Sequence, residues 1–198
     1  MPLDEGLPLY FEFIENLNYS ITEKLTPSSC AVYKIRNGDY KVIKMSNRED
    51  KTCPKKSKWS FDHILNEYRV LKKVKGVDGI AQMLEFYRQP CNGNDEIVAI
   101  VKQYLQGKRL TIRISETNNQ KIIEEAVKAV HKAGFVNIDL WYGNILVEEA
   151  SKKPYIIDLG LVKSKKEVSS EVFKEYKKKD LEDLEHLLTF KEELIWDC

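Results

Sequence analysis

The segment from Asn137 to Gly160 constrains this chain more than any other stretch. Ile145-Leu146-Val147 and Tyr155-Ile156-Ile157 are too short to be helices and flank the turn-forming residues Glu149 to Pro154. They are predicted to be two short strands. Asp139 opens a loop that reaches Asn144 five residues later, just before the first strand. The second strand runs into Asp158-Leu159-Gly160, which puts the Asp158 carboxylate at a strand end. Singly, Asp and Asn are ordinary turn residues. Two carboxylates and an amide in this order around one strand pair point instead to a built polar site.

Length and composition set the frame. With 198 residues, one domain or two small lobes around one cleft is expected. A chain of this size can bury a core without disulfides or metals. The formal net charge of +1 gives no global attraction to nucleic acid or to an anionic membrane. The cysteines Cys30, Cys53, Cys91 and Cys198 are scattered and form no C-x-x-C pair. Reduced thiols in a cytoplasmic setting are expected, rather than a disulfide framework or a zinc site. Met1 to Glu5 carries no basic, apolar leader pattern, and no run reaches the length of a membrane span.

Along the chain, Leu9 to Asn16 reads as a short helix or strand. Between Ile21 and Met45, the runs Cys30–Ile35 and Tyr40–Met45 flank the turn signal Asn37-Gly38-Asp39 and read as strands. The polar segment Asn47 to Lys58, with Pro54, reads as a loop. Phe61, Ile64, Leu65, Tyr68 and Leu71 recur at helical spacing, so Phe61 to Val74 is a predicted helix ended by Gly76 and Gly79. Ile80 to Arg88 and Glu96 to Tyr104 form a predicted strand pair. Asn118 to Ala133, with Ile122, Ile123, Ala126, Val127 and Val130, is a helix closed by Gly134. Ser169 to Lys191 reads as one or two charged helices. A β-rich first part with one helix, then a helix-led second part, suits an α+β fold with lobes at residues 1–104 and 105–198.

In this order the motifs resemble the protein-kinase-like superfamily over nearly the whole chain, and the fold expected is a two-lobed kinase-like one. The family's H-R-D-L-x-x-x-x-N loop stands here as Asn137-Ile138-Asp139-Leu140 with Asn144, and its D-F-G stands as Asp158-Leu159-Gly160. The resemblance implies Asp139 as catalytic base and Asn144 and Asp158 as Mg²⁺ ligands. The chemistry agrees: a carboxylate beside a hydroxyl can orient it and take its proton, and Mg²⁺ prefers hard oxygen donors and shares them with phosphate. Val42-Ile43-Lys44 matches the setting of the lysine that anchors the ATP phosphates. Glu67 matches its helix carboxylate, with Glu85 as the alternative. Leu25, Ser28, Ser29 and Val32 align with the phosphate loop. Gln103 and Leu105 align with the backbone groups that hold adenine, and Lys102 lies where the back pocket is guarded.

Several positions depart from the pattern. Thr26, Ser28 and Ala31 stand where glycines let backbone approach phosphates. Asn137 and Ile138 replace His and Arg, which argues against control by a phosphate on the activation segment. Trp141 holds the place of a phosphate-facing lysine, so the missing charge would come from elsewhere, such as Lys163. Asp180 resembles the residue that braces the catalytic loop from below, and His131 reads as packing. The runs Lys163–Lys166 and Lys174–Lys179 read as solvated faces, or else as a docking surface for an acidic protein or an RNA. No Ala-Pro-Glu lies between Asp158 and Asp180, and 40 residues follow Asp158. The lower lobe therefore resembles the compact one of RIO kinases and the small KEOPS-complex kinase, and a protein partner or second copy covering it is expected.

The resemblance implies an ATP- and Mg-dependent phosphotransferase, an atypical serine/threonine protein kinase acting on a protein substrate. The alternatives are a small-molecule kinase, because Asp139-Leu140-Trp141-Tyr142-Gly143-Asn144 resembles the D-L-W-x-G-N of fructosamine-kinase and aminoglycoside-phosphotransferase relatives, and a pseudokinase that only binds nucleotide.

Overall fold

The protein, described here from a computed structural model, is an α+β chain with a β-rich first part and helices concentrated later. Residues 7–27, 30–47, 54–90, 96–110, 114 and 117–189 are described. They group into two compact units, Met1–Leu65 with Met83–Tyr104, and Asn66–Gln82 with Leu105–Cys198.

In the first unit, helix α1 (Leu7–Asn16) precedes strands β1 (Ser20–Pro27), β2 (Ala31–Asn37) and β3 (Asp39–Asn47). The segment Leu9 to Ile14, apolar but for Glu12, fits a short helix or a strand; the helix forms because Phe13 and Ile14 can then bury one face. Asn18, at φ 61°, turns the chain out of it, a conformation Asn tolerates better than most residues. Gly38, at φ 73°, makes the tight β2–β3 turn. Helix α2 (Pro54–Lys73) follows, then β4 (Met83–Pro90) and β5 (Glu96–Gln103). The helix starts at Pro54, inside the polar segment Asn47–Lys58 that reads as loop in the sequence. A proline suits a first helical position because no N–H is needed there.

The five strands form one antiparallel sheet in the order β1-β2-β3-β5-β4. Alternation gives each strand two faces. Tyr33, Ile35, Ile43, Met45, Ile97, Ala99 and Val101 pack with Phe13 and Ile14 of α1 as one core. The other face carries Val32, Lys44, Ile100 and Lys102. Central β5 is buried on both faces from Ile97 to Lys102, which is why it reads as a continuous apolar run.

In the second unit, β6 (Gly107–Arg109) precedes α3 (Thr117–Lys132), β7 (Phe135–Val136), β8 (Ile145–Glu148), β9 (Pro154–Ile156), β10 (Lys163–Ser164) and a single helix α4 (Ser170–Thr189). The sheets are β6-β8-β9 and β7-β10. Ile123, Ala126, Val127 and Val130 form the buried stripe of α3, which packs on β7, β9 and α4. Asn66–Gln82, on the first-lobe side of the division at residues 104 and 105, groups with this unit. Backbone bonds explain part of that: Ile156 N–H donates to Gly79 O (2.8 Å) and Ala81 N–H to Ile156 O (3.0 Å). Gly79, at φ 76°, also lies so close to Ile122 that a Cβ would meet its methyl group at 2.7 Å.

Candidate active site

The loop between β7 and β8 holds two residues in an unusual backbone conformation. Asn137 and Asp139 both adopt left-handed φ values, 63° and 60°. Such conformations are costly for residues with a Cβ and persist where surrounding contacts hold them. Here the holder is Asp180 of α4, a carboxylate only 1% exposed. Its Oδ2 accepts the Asn137 N–H at 2.9 Å and its Oδ1 the Ile138 N–H at 2.8 Å. The His131 imidazole donates from Nε2 to the same Oδ2 at 2.8 Å. His131 is thus more than packing; it positions the brace. Asn137 itself donates through Nδ2 to Leu161 O at 2.8 Å, tying the loop to the segment after Gly160.

Asp139 and Asn144 are brought together. The Asn144 amide donates to Asp139 O at 3.0 Å and to Asp139 Oδ2 at 2.9 Å. With its Nδ2 so committed, Asn144 has Oδ1 as the atom to turn toward a cation. Residues Tyr142–Asn144 form a 3₁₀ turn, and the Ile157 N–H donates to Asn144 O at 3.0 Å. That bond joins the loop to the residue before Asp158. The Asp158 carboxylate accepts the Gly160 N–H through Oδ1 at 2.9 Å, so the Asp-Leu-Gly turn fixes its own first residue. Leu159 is buried.

The charges bear on Asp139. Burial pushes its carboxyl above the ordinary aspartate range; the Asn144 hydrogen bond opposes this, Asp158 adds to it, Lys179 opposes it and Asp183 adds to it. A raised value suits a group that must hold and release a proton. The donors nearby, an aspartate and an amide oxygen, are of the hard type Mg²⁺ takes. Among the described residues no three His, Cys, Asp or Glu side chains converge to hold a metal. The residues present that could hold a cation are Asp158 and Asn144, with phosphate and water to supply further oxygens.

In the first unit, Lys44 sits on β3 opposite Val32 of β2 and Ile100 of β5, which in turn faces Phe86 of β4. This row crosses the sheet on the face away from α1. Lys44 and Lys102 are each only 6% exposed and share that face, an arrangement that demands anionic company. Leu25 stands at a register irregularity in β1, between Lys24 and Thr26. Ser28 and Ser29 lie outside the described residues. Gln103 closes β5 and Leu105 follows two residues on, both half-buried. Glu67 lies on the part of α2 that groups with the second unit, and is buried at 1% exposure.

The alternative carboxylate, Glu85, does not stand on the Lys44 face. It pairs with Val101 in β4–β5 and so lies on the α1 side. There Lys41 Nζ donates to Glu85 Oε1 (3.2 Å) and to Tyr19 Oη (2.7 Å), while the Tyr19 hydroxyl donates to Glu85 Oε1 (2.7 Å) and the Tyr87 hydroxyl to Oε2. Strand parity, which the irregular start of β4 obscures, assigns it to a structural network.

Two features escaped the sequence. Trp141 is half exposed with its ring folded over Gly143, where any Cβ would overlap it; Gly143 is thus fixed by its neighbour two residues back. Lys179, one of a run of lysines, pairs with Asp183 one turn along α4, whereas Lys163, the cation singled out from sequence, sits in β10 opposite Val136.

Residues 27–179 match the family model of the protein kinase domain. The chain is also 29% identical over 140 residues to the probable serine/threonine-protein kinase fnkB of Dictyostelium discoideum. The match covers 66% of this chain and 25% of that relative, so the chain spans about a quarter of its length.

Proposed function

The chain belongs to the protein kinase domain family, and on that premise we propose that it is an ATP- and Mg²⁺-dependent phosphotransferase that phosphorylates serine or threonine hydroxyls of a protein. The observation that carries the reading is the Asp139–Asn144–Asp158 arrangement, a braced carboxylate bonded to an amide whose backbone is tied to the residue before a second carboxylate. Asp139 orients the acceptor hydroxyl and receives its proton. Asn144 and Asp158 would hold a magnesium ion, which would supply positive charge to offset that of the phosphates. By family position Lys44 is the phosphate-binding lysine and Glu67 the helix carboxylate, Leu25, Ser28, Ser29 and Val32 belong to the phosphate loop, and Gln103 and Leu105 offer backbone groups to adenine. The finer reading is an atypical kinase of the RIO- and KEOPS-like kind. It is supported by Asn137, Ile138 and Trp141 in place of the common residues and by the short segment without Ala-Pro-Glu between Asp158 and Asp180.

One observation favours a second reading. The half-exposed Trp141 indole is two residues from Asp139, and such a flat apolar face could stack a sugar or amine-bearing ring. Transfer of label from γ-³²P-ATP decides between them. Label on serine or threonine of the chain or of a generic acceptor protein supports the protein-kinase reading. Label confined to a sugar or aminoglycoside in a mixed acceptor pool would replace it with the small-molecule one.

A further inference from the structure

The segment that follows the Asp-Leu-Gly turn is tied, bond by bond, to the strand that leads into the Asp139 loop. Leu161 O accepts a hydrogen bond from Asn137 Nδ2 at 2.8 Å. Lys163 pairs with Val136 and Ser164 with Phe135 in the β10–β7 ladder. The Lys165 N–H then donates to Gly134 O at 3.0 Å. Three of the four residues at 163–166 are lysines: Lys163, Lys165 and Lys166. Gly134 seats one of them, because a Cβ there would meet Lys165 Cδ at 3.3 Å and Cε at 3.4 Å. The aliphatic stem of Lys165 therefore lies along the Gly134 backbone while the residue as a whole is exposed. Such a side chain carries its ammonium group out into solvent.

A solvated basic run is ordinarily balanced by acidic neighbours. Lys128, Lys153, Lys178 and Lys179 are balanced in this way, each paired with a carboxylate. Among the described residues, Lys163, Lys165 and Lys166 pair with none. The nearest acid along the chain, Glu167, is already engaged. Its Oε1 accepts from Arg69 Nη1 at 2.8 Å and its Oε2 from the Ser164 N–H at 3.0 Å. Residues 161–179 carry seven lysines and three glutamates, a net +4 in a chain whose net charge is +1. Cations gathered without acids repel one another and attract an anionic partner.

We propose that Lys165 and Lys166 select the protein substrate by binding aspartate or glutamate side chains that flank its acceptor serine or threonine. This rests on the phosphotransferase reading above and names the class of substrate. The lengths agree. Gly134, on which Lys165 is seated, lies five residues before Asp139, so the chain between them spans at most about 18 Å. An extended acceptor peptide covers the same distance with about five residues. An acidic side chain within about five residues of the acceptor hydroxyl therefore comes within reach of Lys165 and Lys166.

The test is Mg-ATP-dependent phosphorylation of two single-serine peptides by the full chain. The peptides differ only in carrying glutamate or glutamine at three of the five positions on either side of the serine. The readout is the ratio of kcat/KM for the glutamate peptide to that for the glutamine peptide, in which any general loss of activity cancels. An exposed ion pair is worth up to about fivefold. Wild type is therefore expected to favour the glutamate peptide about tenfold at low salt, and less as salt screens the charges. Lys165→Ala combined with Lys166→Ala should bring the ratio close to one. Lys121→Glu, at an exposed lysine of α3, makes the same change in net charge and should keep the wild-type ratio. A wild-type ratio near one, or a preference that survives in the double variant, overturns the proposal and leaves the phosphotransferase reading standing. An equal fall in Lys121→Glu would make the effect one of total charge and overturn it likewise. Inhibition by a single-stranded RNA at lower concentration than by the glutamate peptide with alanine for serine would assign the surface to nucleic acid instead. Wild type that phosphorylates neither peptide would defeat the underlying reading and this proposal with it.

Discussion

Replacing Asp180 with alanine should cost this fold more than almost any other single change to a charged residue. The carboxylate is 1% exposed and receives three N–H groups, from His131, Asn137 and Ile138, at 2.8–2.9 Å. Hydrogen bonds to a charged group contribute about 1.5–3 kcal/mol each. The alanine variant leaves two backbone donors and an imidazole without their acceptor in a buried place, and breaking such a set costs about 3–5 kcal/mol. Taking about 4 kcal/mol, and roughly 2–4 °C per kcal/mol for a chain of this length, the melting temperature should fall by roughly 8–16 °C. Thermal denaturation followed by circular dichroism measures the fall, and urea titration with an unchanged slope confirms that it is a loss of stability. Asp180→Asn, which keeps one acceptor oxygen and turns an amide toward a donor, should lie between. The loop strain at Asn137 and Asp139 is released in the alanine variant, so turnover should fall with stability. A variant that melts within roughly 2 °C of wild type would refute the reasoning. It would mean that desolvating the carboxylate already cancels its hydrogen bonds.

Two further outcomes are expected. Burial alone would raise the Glu85 carboxyl, but hydrogen bonds from Tyr87, Tyr19 and Lys41 hold it below its usual value. A depressed carboxylate stabilises the fold above its unfolded value, near 4.5, and loses that contribution as the pH falls through the lower folded one. Glu85→Gln should therefore melt below wild type at neutral pH, with the gap closing in acid; a gap that widens in acid would contradict the network. Gly143→Ala should force the Trp141 ring off the loop backbone, seen as a shift in tryptophan emission and a drop in turnover, and unchanged emission would show that the ring is not seated there.

The strand pair around Glu149–Pro154 was legible because two short apolar runs joined by turn formers have few other solutions. The α3 helix was legible from its 3.6-residue stripe. Other features depend on what a residue touches, which local pattern does not encode. The first turn of α2 is Pro54-Lys55-Lys56-Ser57, polar enough to read as loop even though proline is at home there. Strands β6, β7 and β10 are two or three residues long and exist only through partners far along the chain. Glu85 fits a Lys44 partner by sequence alone, because one irregularity in β4 decides which face it takes. Asp139, Asn144, Asp158 and Asp180 carry a pattern of residue types at fixed spacing and could be found without coordinates.

The most direct test of the account is Mg²⁺-dependent ATP binding and turnover in wild type and in Asp158→Ala. The expected result is turnover that requires Mg²⁺ and falls by about 10²–10³ in the variant, while its melting temperature stays close to wild type. Equal turnover in the two proteins, or ATP binding that ignores both the metal and the substitution, would contradict the assignment of Asp158 and with it the reading of this loop as a phosphotransfer site.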